Sequence, residues 1–252
     1  MKWKTTQFAE SQLDGDKKIR FHLKNADLYS YLPDQNPGKL TVTYVPAENG
    51  GLLPSDEKIP ESLRFAMRGK PSGYRVVSER GWVYADLHSV AAEKTSACFT
   101  KDADWTDDVD WCVEAWYRVA DMGTEPNYGL ATFVSPSSAR NAAIFLSDKA
   151  VGIISSRDHT HQVLKSVDMN TTDGFHWYRL VHSGGEKGTI SLSVDGKEAI
   201  CLAYTDLFHR GVPTPGIMFG PNAGHMEGRL HVAKFGYRVG STDPLFGPVK
   251  QP

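Results

Sequence analysis

The feature that most constrains this chain is a long series of short runs in which apolar and polar residues alternate. Such runs occupy residues 19–23, 40–45, 63–67, 74–78 and 82–87 in the first half. They continue at 111–119, 128–134, 142–146, 151–155, 162–167, 175–181, 189–194, 198–202, 216–220 and 229–237. Alternation sends successive side chains to opposite faces of a strand, so each run reads as a strand with one face on a core. The runs are separated by turn-forming residues: Glu79-Arg80-Gly81, Asp173-Gly174, Gly184-Gly185 and Asp195-Gly196. Gly supplies positive φ, and Asp bonds back to its own backbone. Helical signal is confined to 89–95 and 204–209, each long enough for a turn or two. Many short strands closed by turns predict an all-β sandwich or barrel.

Composition permits such a core. The chain has 252 residues, 40% hydrophobic and 23% charged, close to an average globular protein. A formal charge of −2 gives no cationic pull toward nucleic acid or anionic lipid. No run of 18 apolar residues is present, so no membrane helix is expected. The start, MKWKTTQFAES, lacks the apolar stretch of a signal peptide. That start suits a cytoplasmic protein or a mature secreted or periplasmic form. One domain over 1–252 is expected, with 241–252 as an extended tail and the irregular stretch 47–60 as the best place for a boundary. Cys98, Cys112 and Cys201 are three in number, so at least one thiol is unpaired. They read as buried free thiols, or as one disulfide plus one thiol. Open sheet edges permit a dimer, but no residue demands one.

Familiar nucleophile, zinc-protease and phosphate-loop motifs are missing. Asp107, Asp108 and Asp110 crowd one acidic turn. They suit either a solvated loop or calcium, which takes hard oxygen ligands. A second cluster is basic and imidazole-rich: Arg140 and Asn141 before one strand, Arg157, His159 and His161 between two others, and His225 in a turn. With Tyr128 they could bind a sugar, since Arg forks match carboxylates and His exchanges protons near neutrality. His159, His161 and Arg157 are the catalytic candidates if the chain turns its ligand over. Ordinary exposed loop residues remain the alternative. His159 and His161 could also share a zinc ion, given a third ligand. Trp82, Tyr84 and Asp86 share one face of their strand, two rings and a carboxylate that suit carbohydrate or simple core packing. Trp116 and Trp177 are expected to fill the space between two sheets.

The stretch FHWYRLVHSGGEKGTISLSVDGKEA, from Phe175 to Ala199, resembles laminin-G-like and pentraxin-like jelly rolls. Val113-Glu114-Ala115-Trp116 upstream, Ile217-Met218-Phe219-Gly220 downstream and the closing run from Arg229 to Phe235 resemble further strands of that pattern, covering about 105–240. The resemblance implies a two-sheet antiparallel β-sandwich of the concanavalin-A-like type, in which His176 and His182 are structural. It also implies a carbohydrate partner and lectin-like binding, with calcium possible. Related members are glycoside hydrolases, polysaccharide lyases or sialidase-associated modules, so a carbohydrate-active enzyme is the alternative and a protein-interaction domain the second. The paired acids E-x-D-x-x-E of the related glucanases are missing here.

Overall fold

The structure is a computed structural model that describes residues 40–68, 73–90, 97–121, 129–136, 139–157, 160–209, 215–221 and 228–247. The run expected at 19–23 lies outside the described residues. All described residues fall in one compact unit, Asn36–Pro252.

Fifteen strands are described. The first seven are β1 (Leu40–Tyr44), β2 (Ala66–Arg68), β3 (Tyr74–Glu79), β4 (Trp82–Ser89), β5 (Cys98–Asp102), β6 (Trp111–Asp121) and β7 (Leu130–Ser135). The rest are β8 (Ala142–Leu146), β9 (Ala150–Arg157), β10 (Thr160–Asp168), β11 (His176–Ser183), β12 (Thr189–Val194), β13 (Lys197–Ala203), β14 (Gly216–Phe219) and β15 (Gly228–Val239). Single 3-10 turns sit at Gly185–Lys187 and Tyr204–Asp206, the second where a helical turn was expected. Strand β5 was not among the expected runs, because CFTKD is too short and mixed to show a period.

The strands form two antiparallel sheets, and the molecule is a nearly all-β sandwich. The eight-stranded sheet runs β13-β12-β11-β6-β15-β4-β3, with β1 also on β15. The seven-stranded sheet runs β10-β9-β8-β7-β14-β5-β2. Strand β15 serves three neighbours because it is long. Its first half pairs β4 from Gly228 to Val232, and its second half pairs β1 from Phe235 to Val239.

The core lies between the sheets. Strand β6 supplies Trp111, Val113, Ala115, Tyr117 and Val119 to it, and β11 supplies Tyr178 and Leu180. Phe219 stacks on Phe235 at 4.1 Å and on Phe99 at 5.4 Å, and meets the edge of Phe65 at 5.2 Å. Such ring pairs add to the burial of apolar area.

Two expectations are corrected. Trp116 and Trp177 are buried, at 2% and 7% exposure, but not between the sheets. They pack with Tyr84, Phe175 and Ala233 in a separate cluster on the outer face of the eight-stranded sheet. The reason is phase. Along WCVEAWYR the set beginning with Trp111 is wholly apolar and takes the core, while Trp116 alternates with Glu114 and Arg118 in the mixed set that faces the other side. The second concerns Cys201: all three thiols are free, as the first reading of the sequence had it, and Cys98 and Cys112 are buried, but Cys201 is exposed.

What buries the outer face is the segment 241–247, held by Glu114. This carboxylate is fully buried. It accepts Trp177 Nε1–H at 3.1 Å and Arg179 Nε–H at 2.9 Å, and the backbone N–H groups of Leu245 and Phe246 at 3.0 and 2.9 Å. Arg179 also donates to the Thr242 carbonyl. The Cys112 thiol donates to the Asp243 carbonyl at 3.5 Å, and burial pushes its pKa up to about 12. A buried charge is tolerable only when its lone pairs are met in this way.

Removing one partner of a buried ion pair costs about 3–5 kcal/mol. Glu114→Ala is therefore expected to lower the urea midpoint by that much stability. A loss below about 1 kcal/mol, typical of an exposed pair, contradicts the anchoring role.

Candidate functional site

Two local structures frame a cleft on the outer face of the eight-stranded sheet. The first is the β3–β4 hairpin. Arg80 and Gly81 have φ of 52° and 80°, the two positive values a two-residue hairpin turn needs. This tight turn pairs Glu79 with Trp82 and aims Trp82 and Tyr84 outward. The second is the bend before β11, which carries Asp173, Gly174 and Phe175. Between them, Arg118 rises from β6. Together with Glu79 and Arg80 these residues line a cleft of about 160 Å³.

Its walls are aromatic. Trp82 is half-buried and lies 4.6 Å from Phe175 and 5.7 Å from Trp116, ring to ring. Tyr84 stacks on His231 at 4.4 Å. The Arg118 guanidinium sits 5.6 Å from the Tyr84 ring centre and 5.1 Å from that of Phe175, within cation–π range.

Its edges are polar and tied down. The Tyr84 hydroxyl donates to Glu79 at 3.0 Å. Burial, helped by the Glu79 carboxylate, raises the pKa of that hydroxyl. Arg118 donates to His231 Nδ1 from Nη2 at 2.8 Å and from Nε at 3.2 Å. Nδ1 is then an acceptor, which places the ring proton on Nε2, facing Asp86 at 3.4 Å. That contact is close but not aligned as a hydrogen bond. Asp86, 3% exposed, accepts Arg75 Nε–H at 2.6 Å and Arg229 Nε–H at 2.6 Å. Burial pushes the Asp86 carboxyl up, but Arg229, His231 and Arg75 outweigh it and hold it well below the usual carboxylate range.

Beside the cleft, His176 bridges two acids. Its Nδ1 meets Asp195 at 2.7 Å and its Nε2 meets Asp173 at 2.9 Å. Burial works against the charged ring, yet the two carboxylates win and raise its pKa. Asp195 belongs to the β12–β13 turn, where it and Gly196 have φ of 50° and 80°. The imidazolium thus fastens the Asp173 rim of the cleft to a second hairpin.

The other expected site residues lie elsewhere. Tyr128, His159 and His225 fall outside the described residues. Arg140, Asn141, Arg157 and His161 gather at one end of the seven-stranded sheet, so Trp82 and Tyr84 do not join them. Asn141 is fully buried and works as a strand clamp. Its Nδ2 donates to the Ser156 and Phe208 carbonyls at 2.9 and 2.7 Å, and its Oδ1 accepts Ser156 N–H at 2.7 Å. With its amide spent on backbone, the expectation of a ligand contact there is corrected. Arg140 donates to the Leu207 carbonyl at 2.8 Å and lies 3.8 Å from both Asp107 and Glu186. His161 shares a hydrogen bond with the Ser156 hydroxyl at 2.5 Å, and Arg157 is exposed.

The carboxylates of the acidic turn are engaged with protein donors. Asp107 faces the backbone N–H of Arg140 and His209 Nε2, at 2.7 and 3.1 Å. Asp110 accepts Gly184 N–H at 2.9 Å, and Asp108 bonds Thr106. Among the described residues no group of three His, Cys, Asp or Glu gathers as a metal site. Sequence reasoning named Trp82, Tyr84 and Asp86 but missed Arg118, Phe175, Asp173 and His231. The available signal for Arg118 was phase: Glu114, Trp116 and Arg118 alternate on β6 and so share its outer face.

No family model matches the chain. No curated protein matches it either. Among solved structures it is similar to a conserved carbohydrate esterase of Shiga toxin-encoding bacteriophage phi24B, with TM-score 0.60 and 14% identity, over 81% of this chain and 100% of that one. It is also similar to a protein of unknown function from Shewanella oneidensis MR-1, with TM-score 0.52 and 10% identity, over 83% and 90% of the two chains. A mutant form of HCR/D gives TM-score 0.51 and 11% identity over 73% of this chain, and the chain spans 45% of that structure. At these identities the likeness is one of fold.

Two pH dependences follow from the site. Asp86 has a lowered folded pKa, so its stabilisation is present above the unfolded value of about 4 and is lost as pH falls through the folded one. Asp86→Asn should lower stability at neutral pH and flatten the acid limb of a stability–pH curve; an unchanged limb refutes the assignment. His176 has a raised folded pKa, so its stabilisation is full below about pH 6.5 and is lost as pH rises through the folded value. In His176→Gln that decline should vanish from thermal melts across the neutral range, and its persistence points to another group.

Proposed function

We propose that this protein is a lectin-like carbohydrate-binding β-sandwich, and that the outer-face cleft of the eight-stranded sheet is its glycan site. The observation that carries the reading is Trp82. It is a half-buried indole at the lip of a cleft, backed by Trp116 and Phe175. Around it stand the polar groups of Glu79, Arg80, Arg118 and Asp173. A sugar ring presents an apolar C–H face and a rim of hydroxyls. It is matched by an aromatic surface edged with hydrogen-bonding groups fixed in place, and small-ligand sites generally have this build. The cleft is small, which suits one ring or the end of a glycan rather than a long chain.

The concanavalin-A-like resemblance supports the same reading, as does the esterase among the structural neighbours. Both bear on fold rather than chemistry, so the site must carry the argument. The rival location is the Arg157–His161 end of the other sheet, where the sequence allowed turnover.

Glycan-array binding followed by calorimetry decides between them. Trp82→Ala should weaken glycan binding at least about tenfold, or about 1.4 kcal/mol. Loss of binding in His161→Ala with Trp82→Ala silent moves the site to the other sheet. Release of reducing ends or unsaturated products, lost in His161→Ala, replaces binding with catalysis.

A further inference from the structure

We infer that the cleft selects glycans bearing a carboxylate, and that Arg118 is the residue that reads it. This inference rests on the cleft being the glycan site and names the class of sugar it takes.

The first observation is the charge balance of the arginines. Arg75, Arg80, Arg140, Arg179, Arg229 and Arg238 each lie within ion-pair distance of a carboxylate. Arg118 does not. Its polar partner among the described residues is the imidazole of His231, which accepts through Nδ1. A guanidinium beside an acceptor nitrogen and two aromatic rings is, among the described residues, a cation without a paired carboxylate. It is also half-buried, so water screens it less than it screens an exposed arginine.

The second observation is that the acids lining the cleft are engaged elsewhere. Glu79 takes the Tyr84 hydroxyl at 3.0 Å and Arg80 at 3.4 Å. Asp173 takes His176 at 2.9 Å. Neither neutralises Arg118.

The third is orientation. An arginine has five N–H groups in a rigid fork. His231 uses the Nε–H and one Nη2–H. The outer edge remains, with one N–H from Nη1 and one from Nη2 side by side, the pair that grips both oxygens of a carboxylate. This orientation is set from below. Arg75 and Arg229 clamp Asp86, Asp86 faces His231 Nε2, and His231 thereby presents Nδ1 to Arg118. Asp86 and His231 are positioning residues. A uronic or sialic acid stacked on Trp82 would supply the two oxygens this edge lacks, whereas a neutral sugar leaves the cation unmatched.

The test compares acidic oligosaccharides with their carboxyl-reduced forms. Galacturonate trimer, a glucuronate-containing oligosaccharide and sialyllactose serve as probes, each beside its reduced counterpart, by calorimetry at physiological salt. At least one acidic probe is expected to bind ten times or more tighter than its reduced form. Arg118→Gln should collapse that ratio toward one. Arg118→Lys keeps the charge but loses the fork and should restore only part of it. Thermal melts of both variants check that the fold is retained, and the Lys variant keeps the test open if Gln destabilises it. Equal binding of acidic and reduced probes, or an undiminished ratio in Arg118→Gln, overturns the inference. If the reduced probes bind in a Trp82-dependent way without discrimination, the cleft stands and the acid selectivity falls. If no probe binds, both fall together.

Discussion

Strand β6 is buried on both faces, and the Glu114 carboxylate is what makes the second burial workable. A β-sandwich normally leaves the outside of each sheet to water. Here the outer set of β6 includes Cys112, Glu114 and Trp116, all buried. Four donors converge on Glu114, two from side chains of the neighbouring strand and two from the backbone of 245–246. The interaction ties an otherwise irregular segment across the sheet. Phe246 then packs against the outer aromatic cluster, and Lys234 lies 5.6 Å over its ring. That cluster is the floor on which Trp82 and Phe175 stand.

The same face carries a second buried carboxylate with a different task. Glu114 holds a covering segment, while Asp86 holds a row of side chains. Through Arg75, Arg229 and His231, its charge sets the pose of Arg118 on β6, three strands in from the edge strand β3. Both acids solve one problem, the expense of a charge removed from water, by saturating it with donors. The by-product is rigidity, since each donor is fixed by its acceptor. A preorganised site loses less on binding than one that must be assembled.

Much of the architecture was legible in the sequence, because alternation and turn chemistry are local. The Glu79–Gly81 and Asp195–Gly196 hairpins, the Tyr204 turn and most strands were readable from short stretches. Face assignment went wrong where a large indole stands in a set with charged residues: Trp116 alternates with Glu114 and Arg118 on β6, and Trp177 with Arg179 on β11. This is why Trp116 and Trp177 were expected in the wrong layer. The candidate site was half legible. Trp82, Tyr84 and Asp86 lie on one strand and announce themselves by spacing. Arg118, Phe175 and His231 come from three other segments, and only pairing in the sheet brings them together. Asn141 misled for the opposite reason, since an amide that clamps backbone looks, in sequence, like one free for a ligand.

The covering segment also shuts a thiol away from water. The Cys112 sulfur lies beneath it, bonded to the Asp243 carbonyl, with burial holding the thiol protonated. Cys201 stands in solvent on the edge strand β13, and Cys98 is buried on β5, its side chain alternating with the core ring of Phe99. The three sulfurs therefore differ in access: one is open to alkylation at once, one is shut in until the polypeptide over it lifts, and one is buried on the seven-stranded sheet. Alkylation of the second against the first thus times the lifting of the covering segment.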